Sequence, residues 1–149
     1  MISYEGIFFE EESEKLLYSL EEVHLPIIND KYHCTFKYHP SNEEIFNELV
    51  GKEIEVQLVG YACNGRNSGF LIKLPEYIEK YYINKDNGIK IKSHITTSIE
   101  KDAEPYDTKN LDFKPLPKII NIKGKFGYFI KESDKEYISY KPYNNIWYN

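Results

Sequence analysis

Two tripeptides in the chain carry side chains suited to acid–base work, His33-Cys34-Thr35 and His94-Ile95-Thr96, 61 residues apart. Side chains alternate along a strand, so in each tripeptide the imidazole and the hydroxyl share one face while the middle residue points to the other. Two imidazoles suffice to cleave a phosphodiester without a metal. One, neutral, takes a proton from the attacking hydroxyl or water, and the other, protonated, gives one to the leaving oxygen. Threonine hydroxyls can donate to the non-bridging oxygens, where charge develops. His33, Thr35, His94 and Thr96 are therefore the expected catalytic set.

Each tripeptide lies in a segment that reads as a strand. Tyr32 to Tyr38 and Lys90 to Ile99 are rich in β-branched and aromatic residues. Before the first comes a strand over Glu5 to Glu10 and a helix near Ser13 to Leu20, where Leu16, Leu17 and Leu20 recur at helical spacing. After it, Ser41-Asn42-Glu43-Glu44 matches a capping box and predicts a second helix ending near Gly51. Glu53 to Leu58 and Phe70 to Leu74 alternate around a turn-rich Asn64 to Gly69 and predict a hairpin. Pro75 to Ile83 predicts a short helix, Asn84 to Gly88 a loop, and Glu104 to Pro117 a polar connection. Strands follow over Lys118 to Lys123, Lys125 to Lys131 and Tyr137 to Tyr140, before an aromatic, aperiodic tail over about 141–149. Strands and helices mixed in this order predict an α+β chain with largely antiparallel sheets, forming one domain over residues 1–149.

The paired motifs on strands resemble the 2H phosphoesterase superfamily, whose signature is two His-x-Thr/Ser motifs on pseudo-symmetric strands facing a common cleft. The flanks Tyr32 to Phe36 and Ser93 to Ser98, and the opening Tyr4-Glu5-Gly6-Ile7-Phe8-Phe9, carry the likeness over roughly residues 3–131. The resemblance implies a LigT-like fold of two pseudo-symmetric antiparallel sheet lobes with flanking helices around a central cleft. Within the superfamily the chain is most similar to the phage anti-CBASS nucleases, which cleave the cyclic oligonucleotides of bacterial antiviral signalling. The implied function is a metal-independent phosphodiesterase acting on cyclic di- or oligonucleotides. Its alternatives are a 2',3'-cyclic phosphodiesterase of RNA ends, and a nucleotide-binding protein that keeps the fold without turnover. No metal and no cofactor is expected.

Substrate contacts are expected from Tyr4 and Trp147 as stacking rings, and from Lys37 and Arg66 as counter-charges for phosphate. Tyr106 and Tyr143 are further aromatic candidates. Lys37 follows His33 and Thr35 at the same alternation, and Arg66, the only arginine, sits in the hairpin turn. His24 and His39 fall outside the pattern, His39 read as structural and His24 as a surface or partly buried residue.

The net charge of −5 weighs against long duplex nucleic acid as a partner, because such binding draws on many lysine and arginine contacts to phosphates. A short nucleotide substrate remains compatible with it. No run approaches the roughly 20 apolar residues that span a bilayer, and the mean hydropathy is −0.59. With two cysteines and no apolar leader in the sequence, the expectation is a reduced protein of the cytoplasm (the host cytoplasm, if viral), a monomer or weak dimer that does not engage membranes.

Overall fold

The computed structural model describes residues 1–82 and 92–143. Eight strands, two α-helices and two 3-10 segments follow one another as β1 (Ile2–Phe9), α1 (Glu11–Leu20), β2 (Ile27–Ile28), β3 (His33–Tyr38), a 3-10 turn (Asn42–Glu44), β4 (Glu53–Cys63), β5 (Asn67–Lys73), α2 (Glu76–Glu79), β6 (His94–Ile99), a 3-10 segment (Pro105–Asn110), β7 (Lys114–Glu132) and β8 (Lys135–Ser139). The chain is thus α+β, with every strand pair antiparallel.

The sheet order is β2-β6-β5-β4-β7-β1-β3, with β8 added along β7. Apart from β2 and β8 this order is palindromic. β4 and β7 form the centre, β5 and β1 lie outside them, and β6 and β3, the two strands that carry the tripeptides, lie outermost. Each outer strand is joined to its neighbour by a connection containing a helix, α1 between β1 and β3 and α2 between β5 and β6. The sheet curls so that β3 and β6 come close together without a ladder between them.

One sheet face is filled by Ile7, Phe9, Cys34, Ile54, Val56, Leu58, Phe70, Ile95 and Phe126, all at most 1% exposed. Alternation along β4 accounts for three of them, since Ile54, Val56 and Leu58 are buried while Glu53 and Glu55 face water. α1 adds Leu17, fully buried, whereas Leu16 is largely exposed. Its acidic first turn, Glu11, Glu12 and Glu14, suits the positive end of the helix dipole.

The structure departs from the sequence expectation at several places, among them the short strand β2 and the start of β7 at Lys114, inside the connection expected over Glu104 to Pro117. In place of a second helix ending near Gly51 there is only a 3-10 turn. The Ser41 N–H does donate to Glu44 Oε1 at 3.0 Å, as a capping box requires, but Ile45 is extended and tertiary bonds take the groups that follow. The Phe46 N–H donates to Glu5 Oε1 at 3.4 Å, and Asn47 Oδ1 accepts from the Tyr128 hydroxyl at 2.7 Å. The strands expected on either side of Gly124 are one strand of 19 residues. Gly124 there permits close packing, since a Cβ at that position would lie 2.5 Å from Ile7 Cγ2 and 2.8 Å from the Phe8 carbonyl oxygen. The strand expected from Lys90 starts, in its described part, at His94, and the loop expected over Asn84 to Gly88 lies outside the described residues.

Candidate active site

β1 and β5 present the two tripeptides in the same way. Thr35 pairs with Gly6 and Thr96 pairs with Gly69. A Cβ on Gly6 would stand 2.1 Å from the Cys34 carbonyl oxygen, and one on Gly69 2.4 Å from the Ile95 carbonyl oxygen. Only glycine admits the middle residue of each tripeptide so close. Immediately after each threonine the register slips by one residue, leaving Phe36 and Thr97 as the extra residues of β-bulges. Bulges bend a strand and re-aim its side chains, and these two do so at equivalent points.

α1 braces both outer strands. Glu14 Oε2 accepts the Tyr32 N–H at 2.9 Å, just before His33. At the other end of the helix the buried Glu21 carboxylate accepts from the Thr97 hydroxyl and, at 2.7 Å, from the Ser98 hydroxyl. Glu21 also holds His24 at 2.5 Å, and the His24 ring lies 4.1 Å from the Tyr18 ring.

The two imidazoles are locked alike. His33 Nδ1 lies 2.8 Å from the Lys31 carbonyl oxygen and His94 Nδ1 lies 3.1 Å from that of Lys92. A carbonyl can only accept, so each Nδ1 carries the hydrogen and donates it. In the neutral ring the lone pair then sits on Nε2. Burial lowers the pKa of His33, with the bond to Lys31 opposing and the nearby His94 reinforcing that shift. Burial likewise lowers His94, opposed by the bond to Lys92 and reinforced by Lys109. Tyr4 stacks on His33 with centroids 4.9 Å apart, and on its other side Phe129 stacks on Tyr4, also at 4.9 Å.

Behind the motifs, the buried Cys34 faces the His94 backbone and the Tyr82 hydroxyl, both of which oppose the upward push of burial on its thiol. Burial pushes the Cys34 thiol up to about 12, so it stays a thiol and serves packing.

Two cavities lie beside the tripeptides; His94 lines the first and His33 lines neither. One, about 630 Å³, is lined by Thr35 and His94 together with Tyr38, Tyr82, Tyr106 and Lys109. The other, about 430 Å³, is lined by Tyr4, Phe129, Thr96, Asn29 and Lys31. Pro105 borders both.

Of the residues singled out from sequence, His33, Thr35, His94 and Thr96 come together at the meeting of β3 and β6. The two threonines differ, because the Thr96 hydroxyl is bonded to the Pro105 carbonyl oxygen at 3.0 Å and to Thr108 Oγ1 at 2.8 Å. Tyr4 stands against His33. Lys37 borders the larger cavity, but the bulge at Phe36 sets it opposite Glu5 in the ladder, and its ammonium pairs with Glu44 at 3.2 Å. Tyr38, opposite Tyr4, is the residue that continues the His33 face. Arg66 lies at the β4–β5 turn, paired with Asp102 at 3.2 Å, and lines neither cavity. Trp147 lies outside the described residues. Tyr106 lines the larger cavity; Tyr143 instead packs against the core with its ring 6.3 Å from Tyr128. His39 borders the larger cavity and has φ +47°.

Lys109, Tyr38 and Tyr82 were not legible as site residues. Tyr38 is brought in by a bulge, and Lys109 by a 3-10 segment that folds back onto β6; neither event has a spacing signal. Among the described residues no three His, Cys, Asp or Glu side chains converge as a metal's ligands would. No described helix is long and apolar enough to cross a membrane. No family model matches the chain.

Proposed function

We propose that the protein is a phosphodiesterase that cleaves cyclic di- or oligonucleotides by metal-independent acid–base catalysis between His33 and His94. The observation that carries this reading is the matched pair of imidazoles, each held through Nδ1–H by the carbonyl two residues earlier and each left with Nε2 for proton transfer. The palindromic sheet and the repeated glycine and bulge support the LigT-like reading of the fold.

In the first step one neutral Nε2 removes the proton of a ribose 2'-hydroxyl. The 2'-oxygen forms a bond to the adjacent 3' phosphorus, and the bond from phosphorus to the 5' oxygen breaks as the second imidazolium protonates that oxygen. The product is a 2',3'-cyclic phosphate. Water opens it with the two histidines in exchanged roles, which equivalent tautomers allow without rearrangement. Thr35, facing the larger cavity, donates to a non-bridging oxygen. Both histidines are neutral at pH 7 in the free protein, and the anionic diester supplies the field that protonates one of them.

Two cavities that share Pro105, one reaching Thr35 and His94 and the other Tyr4 and Thr96, favour a diester flanked by two nucleosides over a terminal cyclic phosphate. The test is to incubate the purified protein, with EDTA present, with cyclic dinucleotides, cyclic trinucleotides and RNA ending in a 2',3'-cyclic phosphate. Turnover of the cyclic nucleotides is expected. Turnover that requires a divalent metal would overturn the mechanism, and turnover of the RNA end alone would overturn the substrate class.

A further inference from the structure

Thr35 and Thr96 occupy equivalent places, yet their hydroxyls do different work. That of Thr96 is committed to the segment Pro105–Asn110, meeting the Pro105 carbonyl oxygen and Thr108 Oγ1. The same segment is fastened a second time by Asn67, whose side-chain amide donates to the Glu104 carbonyl oxygen at 2.8 Å and to Thr108 Oγ1 at 3.1 Å. Asn67, Thr96 and Thr108 are all buried, and anchors withheld from water hold their geometry better than surface bonds do. No hydrogen bond engages the Thr35 hydroxyl among the described residues.

The segment so fastened carries Tyr106 and Lys109 into the wall of the larger cavity, opposite Thr35. The Lys109 ammonium stands 5.9 Å from the centre of the Tyr106 ring, and its charge is felt at His94. Of the other cations near the motifs or the turn, Lys31, Lys37 and Arg66 are matched by Glu14, Glu44 and Asp102, and Lys92 lines a different cavity. Among the described residues no carboxylate pairs with Lys109. The cavity also holds Lys37, His39 and Glu104; with Lys37 held by Glu44, Lys109 is the lysine of this wall left without an ion pair among the described residues.

We propose that the segment Pro105–Asn110 is the wall that grips the substrate, with the Lys109 ammonium on a non-bridging phosphate oxygen, the Tyr106 ring under the neighbouring base, and Thr96 a positioning residue that holds this wall rather than a ligand of the phosphate. The inference deepens the phosphodiesterase reading and rests on it for the identity of the ligand. Its structural content, an anion site built on Lys109, is measurable without turnover.

Two probes test it, inorganic phosphate and adenylyl-(3',5')-adenosine with the attacking 2'-hydroxyl methylated so that it cannot be cleaved. By NMR, the His94 imidazole pKa in free K109A is higher than in the wild type, and phosphate raises it less. K109A binds the methylated dinucleotide about tenfold or more weakly, the loss expected for one charge-assisted contact, and K109R recovers most of it. T96V and T108V weaken binding by similar factors, the double variant is no worse than the poorer single one, and T96S restores affinity. An unchanged His94 pKa and unchanged dinucleotide affinity in K109A would overturn the site. A fall in kcat at constant KM in T96V, with T108V unaffected, would return Thr96 to the phosphate. If the wild type cleaves no diester yet binding and His94 titration depend on Lys109 as stated, the reaction is wrong and the anion site stands. Cleavage with binding indifferent to Lys109 would instead uphold the reaction and overturn the anion site.

Discussion

Replacing Glu5 by Gln is expected to stabilise the protein, and increasingly so as the pH rises. Glu5 is fully buried on β1, next to the glycine that receives Thr35. Its Oε1 accepts the Phe46 N–H, but Oε2 has no hydrogen-bond partner. Burial, aided by Glu44 and Glu48 and opposed by the Phe46 N–H and Lys37, pushes its pKa up to about 8 from an ordinary 4.5. The folded protein therefore holds a proton that the unfolded chain gives up. A group raised in this way contributes stability that is complete below the unfolded pKa and is lost as the pH climbs through the folded one. The loss runs at about 1.4 kcal/mol per pH unit. Between pH 6.5 and 8, above the range where the two depressed histidines change charge, it amounts to about 1.5 kcal/mol once partial ionisation near the folded pKa is included. Glutamine keeps the shape and cannot ionise, so its stability stays level over that window. Urea unfolding followed by tyrosine and tryptophan fluorescence at pH 6.5, 7.25 and 8 reads the difference as a gap between midpoints that widens by roughly 0.5 to 1.5 M urea, given slopes of about 1–3 kcal/mol per molar urea. Parallel curves for the two proteins, or a variant that loses ground as pH rises, would refute the buried neutral carboxyl.

Four further outcomes follow from the site. His33→Ala and His94→Ala should each lower kcat about 100-fold to 10,000-fold with far-ultraviolet circular dichroism unchanged, and ordinary rates in either would remove the two-histidine mechanism. Because burial lowers both imidazole pKa values, the kcat/KM optimum should fall below about 6.5, the unperturbed histidine value; the kcat profile, which reports the anion-bound complex, should lie higher. An optimum above pH 7 in kcat/KM would contradict the geometry. Gly69→Ala should cost about 1–3 kcal/mol of stability by overpacking, since its Cβ would meet the Ile95 carbonyl oxygen at 2.4 Å, and it should depress turnover; Gly65→Asn, strained by a φ of +86° but with open space around it, should lower the melting temperature less and leave turnover unchanged. Glu21→Gln disturbs the carboxylate that accepts from Thr97 and Ser98, so the melting temperature and kcat should fall together, by about 1–3 kcal/mol in stability, and a variant indistinguishable from wild type would show that the brace is dispensable.

The parts of the fold that sequence revealed were those with their own periodicity. β4 announces itself by strict alternation and α1 by its leucine spacing, and both tripeptides lie on strands as their flanks suggested. What escaped was set by contacts distant in sequence. The capping box at Ser41 is present, yet the helix it should start is stopped because Phe46 and Asn47 are claimed by β1 and β7. Gly124 reads as a break along the chain and is a point of close strand packing in space. The bulge at Phe36 exchanges the faces of Lys37 and Tyr38, and strand alternation carries no warning of it. His33 and His94 were candidates from the repeated tripeptide and its strand setting, whereas placing Lys109 near them required knowing that Thr96 would fasten the 105–110 segment.

β3 and β6 lie outermost in the ladder order of the main strands, and sheet edges are where proteins recruit one another's backbones into aggregates. β2 pairs with Ser98 and Ile99 of β6, and Asn29 just beyond it bonds the Thr97 and Thr96 carbonyl oxygens. The remainder of the two edges is brought together where β3 and β6 approach each other around the histidines. The arrangement that brings the two imidazoles together is thus also what keeps two adhesive edges apart from neighbouring molecules. Substitutions that splay β3 from β6 should therefore lose solubility and any turnover in step, and screening variants for soluble expression becomes a first measure of whether the proposed catalytic pair is intact.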